Sequence, residues 1–126
     1  MAGPVRTKDP AVDASGVLER LREEPFEFAF FQAVRLLERA MPERAAVGRF
    51  ADPASEAVRF LHNPSLSFPA SEIQNLDWTA GRAARMTVNF LGLIGPLGVL
   101  PVHYTEFPIE RLGDRDRTFV EFLNIF

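Results

Sequence analysis

The first third of the chain carries apolar residues at the spacing of amphipathic helices. Val17 and Leu21 are four residues apart, which predicts a short helix with Ser15 as its N-cap and Pro25 as its stop. Proline also suits the first turn of a helix, because its missing N–H has no partner there. We therefore expect Pro25 to begin a second helix over residues 26–41.

The second predicted helix has an unusually wide apolar face. Its main stripe follows the i, i+4, i+7 spacing of a helix that is buried on one side. Further apolar residues fall outside that stripe, so the helix needs cover on more than one side. Because an isolated fragment lacks part of that cover, we expect it to self-associate through this face and through the apolar face of residues 117–126. The stripe comprises Phe26, Phe30, Ala33, Val34, Leu37 and Met41, and the additional residues are Phe28, Phe31 and Leu36.

Residues 56–91 show the alternation of apolar and polar side chains that is typical of short strands. Val58 and Phe60 flank Arg59. A second alternating segment covers residues 66–68, where apolar side chains alternate with serines. These patterns predict the first strands of a small sheet.

A hairpin is predicted at the end of this region. Residues 73–78 and 85–91 flank the turn-rich sequence TAGRAA, which predicts an antiparallel pair of strands with a longer loop. The second strand alternates, with Met86, Val88 and Phe90 toward one face and Thr87 and Asn89 toward the other.

A long apolar loop follows the hairpin. Residues 91–101, called the apolar loop below, read LGLIGPLGVLP, so glycine and proline interrupt a run of large apolar side chains. Loops are usually polar because they lie in water. This loop is therefore expected either to pack on its own domain or to contact another molecule.

Helical patterns return at the end of the sequence. Residues 104–112 predict a helix that Pro108 interrupts. Residues 117–126 predict a last apolar helix that Asp114 or Asp116 caps. Because the sequence ends within this helix without a stop signal, we expect it to be part of a longer protein.

The order of these elements predicts an α+β fold, since helical and strand patterns are segregated along the chain. We expect N-terminal helices, a small antiparallel β-sheet, the long Gly/Pro-rich apolar loop and C-terminal helices. Residues 1–14 are predicted to be a flexible N-terminal tail. Residues 15–126 are predicted to form one domain.

Composition and charge narrow the classes of function. The 126 residues carry 14 basic and 17 acidic side chains without a basic cluster, which argues against nucleic-acid binding. The sequence has no cysteine, so disulfides and thiolate metal sites are excluded. The longest apolar run, residues 90–102, is shorter than the about 20 residues of a membrane-spanning helix. We therefore expect no direct membrane insertion.

The glycines of the apolar loop do not match a nucleotide-binding motif. Gly92, Gly95 and Gly98 are three residues apart, which is neither G-x-G-x-x-G nor a P-loop. Pro96 removes one backbone N–H, and a phosphate cradle depends on such groups. The alternative that remains is a small-molecule or nucleotide-binding enzyme domain that uses this Gly-rich loop and His103.

Residues for metal binding or catalysis form no complete constellation. His103 and Glu106 can share a helical face, but a metal site needs a further ligand from elsewhere. The sequence has no G-x-S-x-G nucleophile motif. We therefore expect no catalytic, cofactor-binding or metal-binding residues. A large apolar surface outside the core commonly marks a protein–protein contact.

Five blocks of the sequence resemble one protein family in order and spacing. They are FFQAVRLLE (residues 30–38), EAVRF (56–60), LSFPASEI (66–73), VNFLGLIGPLGVLPVHYTE (88–106) and EFLNIF (121–126). Together they are similar to TssG, the type VI secretion system baseplate subunit that is also called ImpH or VasB. Members of that family are longer, so residues 15–126 resemble the N-terminal domain of a TssG-like protein.

The resemblance implies a non-enzymatic structural subunit without a cofactor. Its implied place is the bacterial cytoplasm, in a baseplate at the cytoplasmic face of the inner membrane. TssG-like proteins assemble with TssF and TssE into the wedge of a contractile, phage-tail-like injection machine. Trimers of TssK dock onto that wedge.

Within this resemblance, we expect the apolar loop to insert into a baseplate partner, and we expect that partner to be TssK. Its apolar side chains supply buried area, and its glycines allow close approach of the backbone. Its prolines limit the entropy lost on docking, and the two residues after Val102 hold its base by hydrogen bonds. The predicted docking residues are Leu91, Gly92, Leu93, Ile94, Gly95, Pro96, Leu97, Gly98, Val99, Leu100, Pro101, His103 and Tyr104.

Overall fold

The computed structural model describes residues 10–79, 81–95 and 97–125. They form an α+β fold, as predicted, with helices toward both ends of the chain and a three-stranded sheet between them. Short 3-10 helices occur at Pro25–Glu27 and Pro53–Ser55. The longer elements are α1 (Pro10–Glu23), α2 (Phe30–Ala40), β1 (Val58–His62), β2 (Ile73–Asp77), β3 (Ala84–Val88), α3 (His103–Gly113) and α4 (Thr118–Leu123).

The first helix starts earlier than the sequence pattern indicates. α1 begins at Pro10, so the prediction that Ser15 caps it is wrong. Proline fits there because the first N–H groups of a helix have no partner within it. The helix therefore includes residues 10–14, which the sequence assigned to a tail. Residues 1–9 lie outside the described residues.

The second predicted helix, residues 26–41, is divided in two. Phe28 is extended, with φ −99° and ψ 142°, and it separates the first 3-10 helix from α2. The division places the start of α2 beside Glu72, whose Oε2 accepts a hydrogen bond from the Phe30 N–H at 2.6 Å. A carboxylate at this position also meets the positive end of the helix dipole. Pro25 keeps its predicted place in a first turn, but in that of the 3-10 helix.

The sheet has the strand order β1-β3-β2 and mixed direction. β2 and β3 form the predicted antiparallel hairpin. β1 pairs with β3 in parallel, from Val58 opposite Ala84 to His62 opposite Val88. The prediction of an antiparallel sheet is therefore wrong for β1. Residues 63–72 cross the end of β3, so β2 starts where β1 stops and β3 returns between them.

The predicted strand over residues 66–68 is not formed. Leu66 and Phe68 are exposed, and Pro64 and Pro69 lack the N–H groups that a strand ladder needs. The two serines of this segment bond to each other instead. Residues 63–72 are consequently a connection and not a fourth strand.

One face of the sheet packs against α1 and α2 and forms the core. The predicted stripe is confirmed in its last four members, which are buried, whereas its first member, Phe26, is exposed. Phe31, which lies outside the stripe, is exposed as well. The alternation of the second hairpin strand is correct through Val88, where β3 ends. The core consists of Leu21, Ala33, Val34, Leu37, Met41, Ala57, Val58, Ile73, Leu76, Ala84, Met86 and Val88.

Two helices follow the apolar loop, as predicted. α3 contains Pro108, which removes one intrahelical hydrogen bond without ending the helix. Arg117, and neither of the two predicted caps, occupies the N-cap position of α4. Asp116 precedes it, and its Oδ1 accepts a hydrogen bond from the Thr118 N–H at 3.0 Å. This bond lowers the pKa of the Asp116 carboxyl. Leu123 of the predicted apolar face is buried, and Phe126 lies outside the described residues.

Candidate protein-docking surface

The apolar loop folds back on itself and is fixed at its base. The Leu100 N–H donates to the Leu93 carbonyl at 3.0 Å. The Gly98 N–H donates in the same way to the Gly95 carbonyl at 3.1 Å. The Gly95 N–H donates to Oγ1 of Thr105 at 3.1 Å, and Thr105 is buried in the first turn of α3. These bonds hold the loop in one shape, which lowers the entropy that a partner loses by binding it.

Two glycines bring the loop against the end of β1. Gly92 has φ +133° and Gly95 has φ +104°, both in the region that favours glycine. A β-carbon at Gly92 would overlap the His62 ring, and one at Gly95 would lie 2.6 Å from the Asn63 carbonyl oxygen. The glycines are therefore needed for internal packing of the loop, independently of any partner.

A buried asparagine, Asn89, joins three segments of the chain near the apolar loop: the residues after β1, the residues before β2 and the residues after β3. Asn89 directly follows β3, and its side chain is buried, although the alternation placed it on the face opposite the buried Met86 and Val88. Its Nδ2 donates to the Ser71 carbonyl at 2.8 Å. Its Oδ1 accepts from Nδ2 of Asn63 at 2.6 Å. The exposed Phe90 follows it, so the predicted facing of these two residues is wrong, because β3 ends before them.

A second polar contact ties the C-terminal helix to β1. Oδ1 of Asn124 accepts from the His62 N–H at 2.9 Å and contacts Nδ1 of the same ring at 2.6 Å. Because an amide oxygen only accepts, Nδ1 carries the proton. Nε2 of His62 is buried and has no hydrogen-bond partner among the described residues. Sequence reasoning did not find this pair, since 62 positions separate its members.

The apolar side chains of the loop divide into an inner and an outer set. Ile94 is 4% exposed, so it belongs to the interior and is not available to a partner. Leu93 and Leu100 are half-buried. The outer set, which remains available, consists of Leu91, Leu97 and Val99, which are 48%, 52% and 79% exposed.

The outer set borders a groove of about 930 Å³ that follows β1. Glu56 lines the groove beside the start of the strand, and Glu121 lines it on α4. Large exposed apolar patches are rare on monomeric proteins and commonly mark interaction sites. This edge groove has exposed apolar side chains on its walls, namely Val47, Phe90, Leu91, Leu97, Val99 and Ile125.

The other predicted docking residues lie near the start of α3. His103 and Tyr104 are exposed, with their ring centroids 4.6 Å apart. Pro101 is exposed as well. Pro96 lies outside the described residues. One segment of the chain, from the end of β3 to the first turn of α3, therefore contains all the exposed docking candidates, namely the outer set, Pro101, His103 and Tyr104.

The geometry of the loop does not favour a phosphate site. The N–H groups of Gly95 and Gly98 donate within the domain, so they are not directed at a bound anion. In the part of the chain that the structure describes, no group of three His, Cys, Asp or Glu side chains could hold a metal ion. Within the same residues, no helix has the length and apolar character required to cross a bilayer.

Comparison with known proteins identifies one family. The family model described as "Type VI secretion, TssG" matches residues 24–126. No curated protein gives a significant match, and no solved structure does. The match includes all three strands, the apolar loop and both C-terminal helices.

Proposed function

The chain belongs to the TssG family of type VI secretion proteins, and from this premise we propose that it is a wedge subunit that binds its partners through the apolar loop. The family has a structural role in the type VI secretion baseplate and is not a known enzyme family. The baseplate lies on the cytoplasmic side of the secretion machinery. We propose that this protein occupies that place, at the cytoplasmic face of the inner membrane.

The observation that carries the proposal is the outer set of the apolar loop. Leu91, Leu97 and Val99 stay exposed although the loop that bears them is held by internal hydrogen bonds. A loop that was merely collapsed on its own domain would bury these side chains, as it does Ile94. The loop therefore combines a fixed backbone with an accessible apolar surface, which suits docking.

The outer set supplies a useful but incomplete share of a binding free energy. Full burial of a Leu or Val side chain contributes about 1.5–3 kcal/mol. Since roughly half to three quarters of each side chain is still exposed, the three together offer about 3–5 kcal/mol. A micromolar complex requires about 8 kcal/mol. The remainder must come from neighbouring surface, and the edge groove is adjacent.

We propose TssK as the protein that receives the apolar loop. The support is the resemblance of residues 88–106 to the family, together with the exposure of the loop. TssF and TssE are the proposed neighbours of the protein elsewhere in the wedge. His103 and Tyr104 contribute the polar rim of the loop surface, because both are exposed directly beside it.

A double substitution in the loop tests this proposal. Leu97→Asp with Val99→Asp introduces two charges that a docked partner would have to bury without counter-ions. Both side chains are exposed in the free protein, so the variant should keep the circular dichroism spectrum and melting temperature of the wild type. We expect it to lose TssK in a pull-down from cells that express the baseplate proteins together.

Two further variants serve as controls, one at an exposed site away from the loop and one in the interior. Phe50→Asp places a charge at a fully exposed apolar residue outside the edge groove, and it should retain TssK. Ile94→Asp places a charge in the interior, and it should unfold the domain. If the loop variant is folded and still retains TssK and TssF at the wild-type level, docking through the apolar loop is wrong.

A further inference from the structure

β1 has an open outer edge. In the ladder with β3, the Ala84 N–H donates to the Ala57 carbonyl at 2.9 Å, and Val58 lies opposite Ala84. Alternate residues of a strand direct both backbone groups to the same side. The backbone N–H and C=O groups of Arg59 and Leu61 therefore point toward β3. Those of Val58, Phe60 and His62 point away from it.

The end of this outer edge is covered, and its centre is not. At the end, the His62 N–H donates to Oδ1 of Asn124 at 2.9 Å. The Ala57 N–H, which donates to the Ala45 carbonyl at 3.0 Å, lies on the β3 side of the strand, as the Ala57 carbonyl does. The outward groups of Val58 and Phe60 have no backbone partner within the described residues. Proteins usually protect such edges, because an unpaired edge can accept another strand.

The surroundings of the open edge suit an extended peptide. The edge groove follows β1 along its length. Its walls are apolar on both sides, with Leu91 and Val99 from the apolar loop and Val47 from the connection after α2. In strand addition, backbone hydrogen bonds supply affinity and flanking pockets select alternate side chains. The groove offers both kinds of contact.

The charges of the groove specify the centre of that peptide. Arg59 lies directly opposite Arg85 in the ladder, both are exposed, and neither has an ion-pair partner among the residues described. Like charges that face each other across two strands are destabilising. Arg85 lies on the central strand β3, with Asp77 of β2 opposite it on the side away from β1. Arg59 lies on β1 itself, so it is the arginine next to the open edge. Glu56 lines the groove just before the start of β1, and Glu121 lines it on α4, beside the end of β1 that Asn124 contacts.

We propose that β1 accepts an extended segment of a partner protein as an added strand, with an acidic side chain of that segment beside Arg59 and Arg85. Apolar side chains flank the acidic one and enter the edge groove. Acidic residues are excluded from the ends of the segment by Glu56 and Glu121. This inference deepens the proposed function and rests on it, because the groove opens onto the apolar loop.

A second copy of the chain is the less suitable occupant. Two β1 strands that paired antiparallel through Val58 and Phe60 would be centred on Arg59. That arrangement would bring Arg59 against its own copy, beside the two Arg85 side chains. The charge pattern therefore disfavours self-pairing and favours an acidic partner.

A display experiment with random peptides of about ten residues, the length of a long strand, tests the inference without any baseplate protein. Selection on the immobilised wild-type chain should enrich an apolar–acidic–apolar pattern. On Arg59→Glu, the central preference should change to a basic residue, and wild-type-selected peptides should bind at least about tenfold more weakly. Because Arg59 is exposed and lies opposite Arg85, the substitution should not lower the melting temperature.

Amide exchange provides the second measurement. A selected peptide should slow exchange at the Val58 and Phe60 N–H groups of the wild-type chain, while the Arg59 N–H, which already faces β3, stays protected throughout. Absence of enrichment, or enrichment that ignores the charge at position 59, would overturn the inference. A dimer that Arg59→Glu changes, without peptide enrichment, would assign the edge to a second copy and overturn it too. Loss of TssK from the loop variant is independent of all these outcomes.

Discussion

Removal of the Asn124 side chain should measure how strongly the C-terminal helix is held to the sheet. In Asn124→Ala, the His62 N–H and Nδ1–H lose their common acceptor. His62 is buried, so water replaces that acceptor incompletely. Leu123 keeps its apolar contact with the domain, and the polar contact is therefore tested almost alone.

The expected loss follows from two unsatisfied donors. Each buried donor without a partner costs about 1–3 kcal/mol. Asn124 itself is half-buried, which allows some access of water, so the lower part of the range applies to each donor. We expect Asn124→Ala to reduce the free energy of unfolding by about 2–4 kcal/mol.

Urea denaturation followed by circular dichroism measures this loss, with the slope m as a check that the unfolded state is unchanged. Asn124→Asp is the matched control, because a carboxylate of the same shape still accepts both hydrogen bonds. It should lose clearly less stability than Asn124→Ala. A loss below about 0.5 kcal/mol in the alanine variant, the size of a neutral surface change, would refute the role assigned to this contact.

Three further outcomes are expected from the same structure. Gly92→Ala should lower the free energy of unfolding by about 1–3 kcal/mol in urea denaturation, because its β-carbon would overlap the His62 ring. Gly113→Ala is the control, since it adds a β-carbon at an open position and should be neutral. Equal losses in the two variants would contradict the packing role of Gly92. The lowered pKa of Asp116 means that its contribution to stability is present above the pKa of the unfolded state and is lost as pH falls through the folded one. In melting experiments across pH, Asp116→Ala should therefore be less acid-sensitive than the wild type, and identical profiles would count against a stabilising role of its hydrogen bond to Thr118. The exposed Phe31 on α2 should promote self-association, which light scattering over a concentration series would detect and Phe31→Glu would reduce; a strict monomer at all concentrations would show the prediction to be wrong.

The hairpin could be predicted from the sequence because its signals are local. Alternation over residues 73–78 and 85–88 and the intervening turn residues specify two neighbouring strands. The direction of β1 relative to β3 has no local signal, since it depends on how residues 63–72 cross the sheet. The division of the second predicted helix is similarly non-local, because Glu72, which caps α2, lies 42 positions from Phe30.

The candidate site was only partly predictable. The conflict between loop-forming residues and large apolar side chains singled out the apolar loop as a candidate docking element, which stays a prediction. The sequence could not show that Ile94 points inward and Val99 outward, because that division depends on the hydrogen bonds to Thr105 and within the loop. The open edge of β1 also required the structure, since it follows from the strand order.

The most direct test of docking is a photoreactive residue placed at Val99 in the complete protein, in cells that assemble the secretion system. Val99 is the most exposed member of the outer set, and a photoreactive residue at Phe50 serves as a matched control. We predict that illumination links position 99 to TssK and that position 50 gives no such product. Links to TssK from position 50 but not from position 99 would contradict docking through the apolar loop.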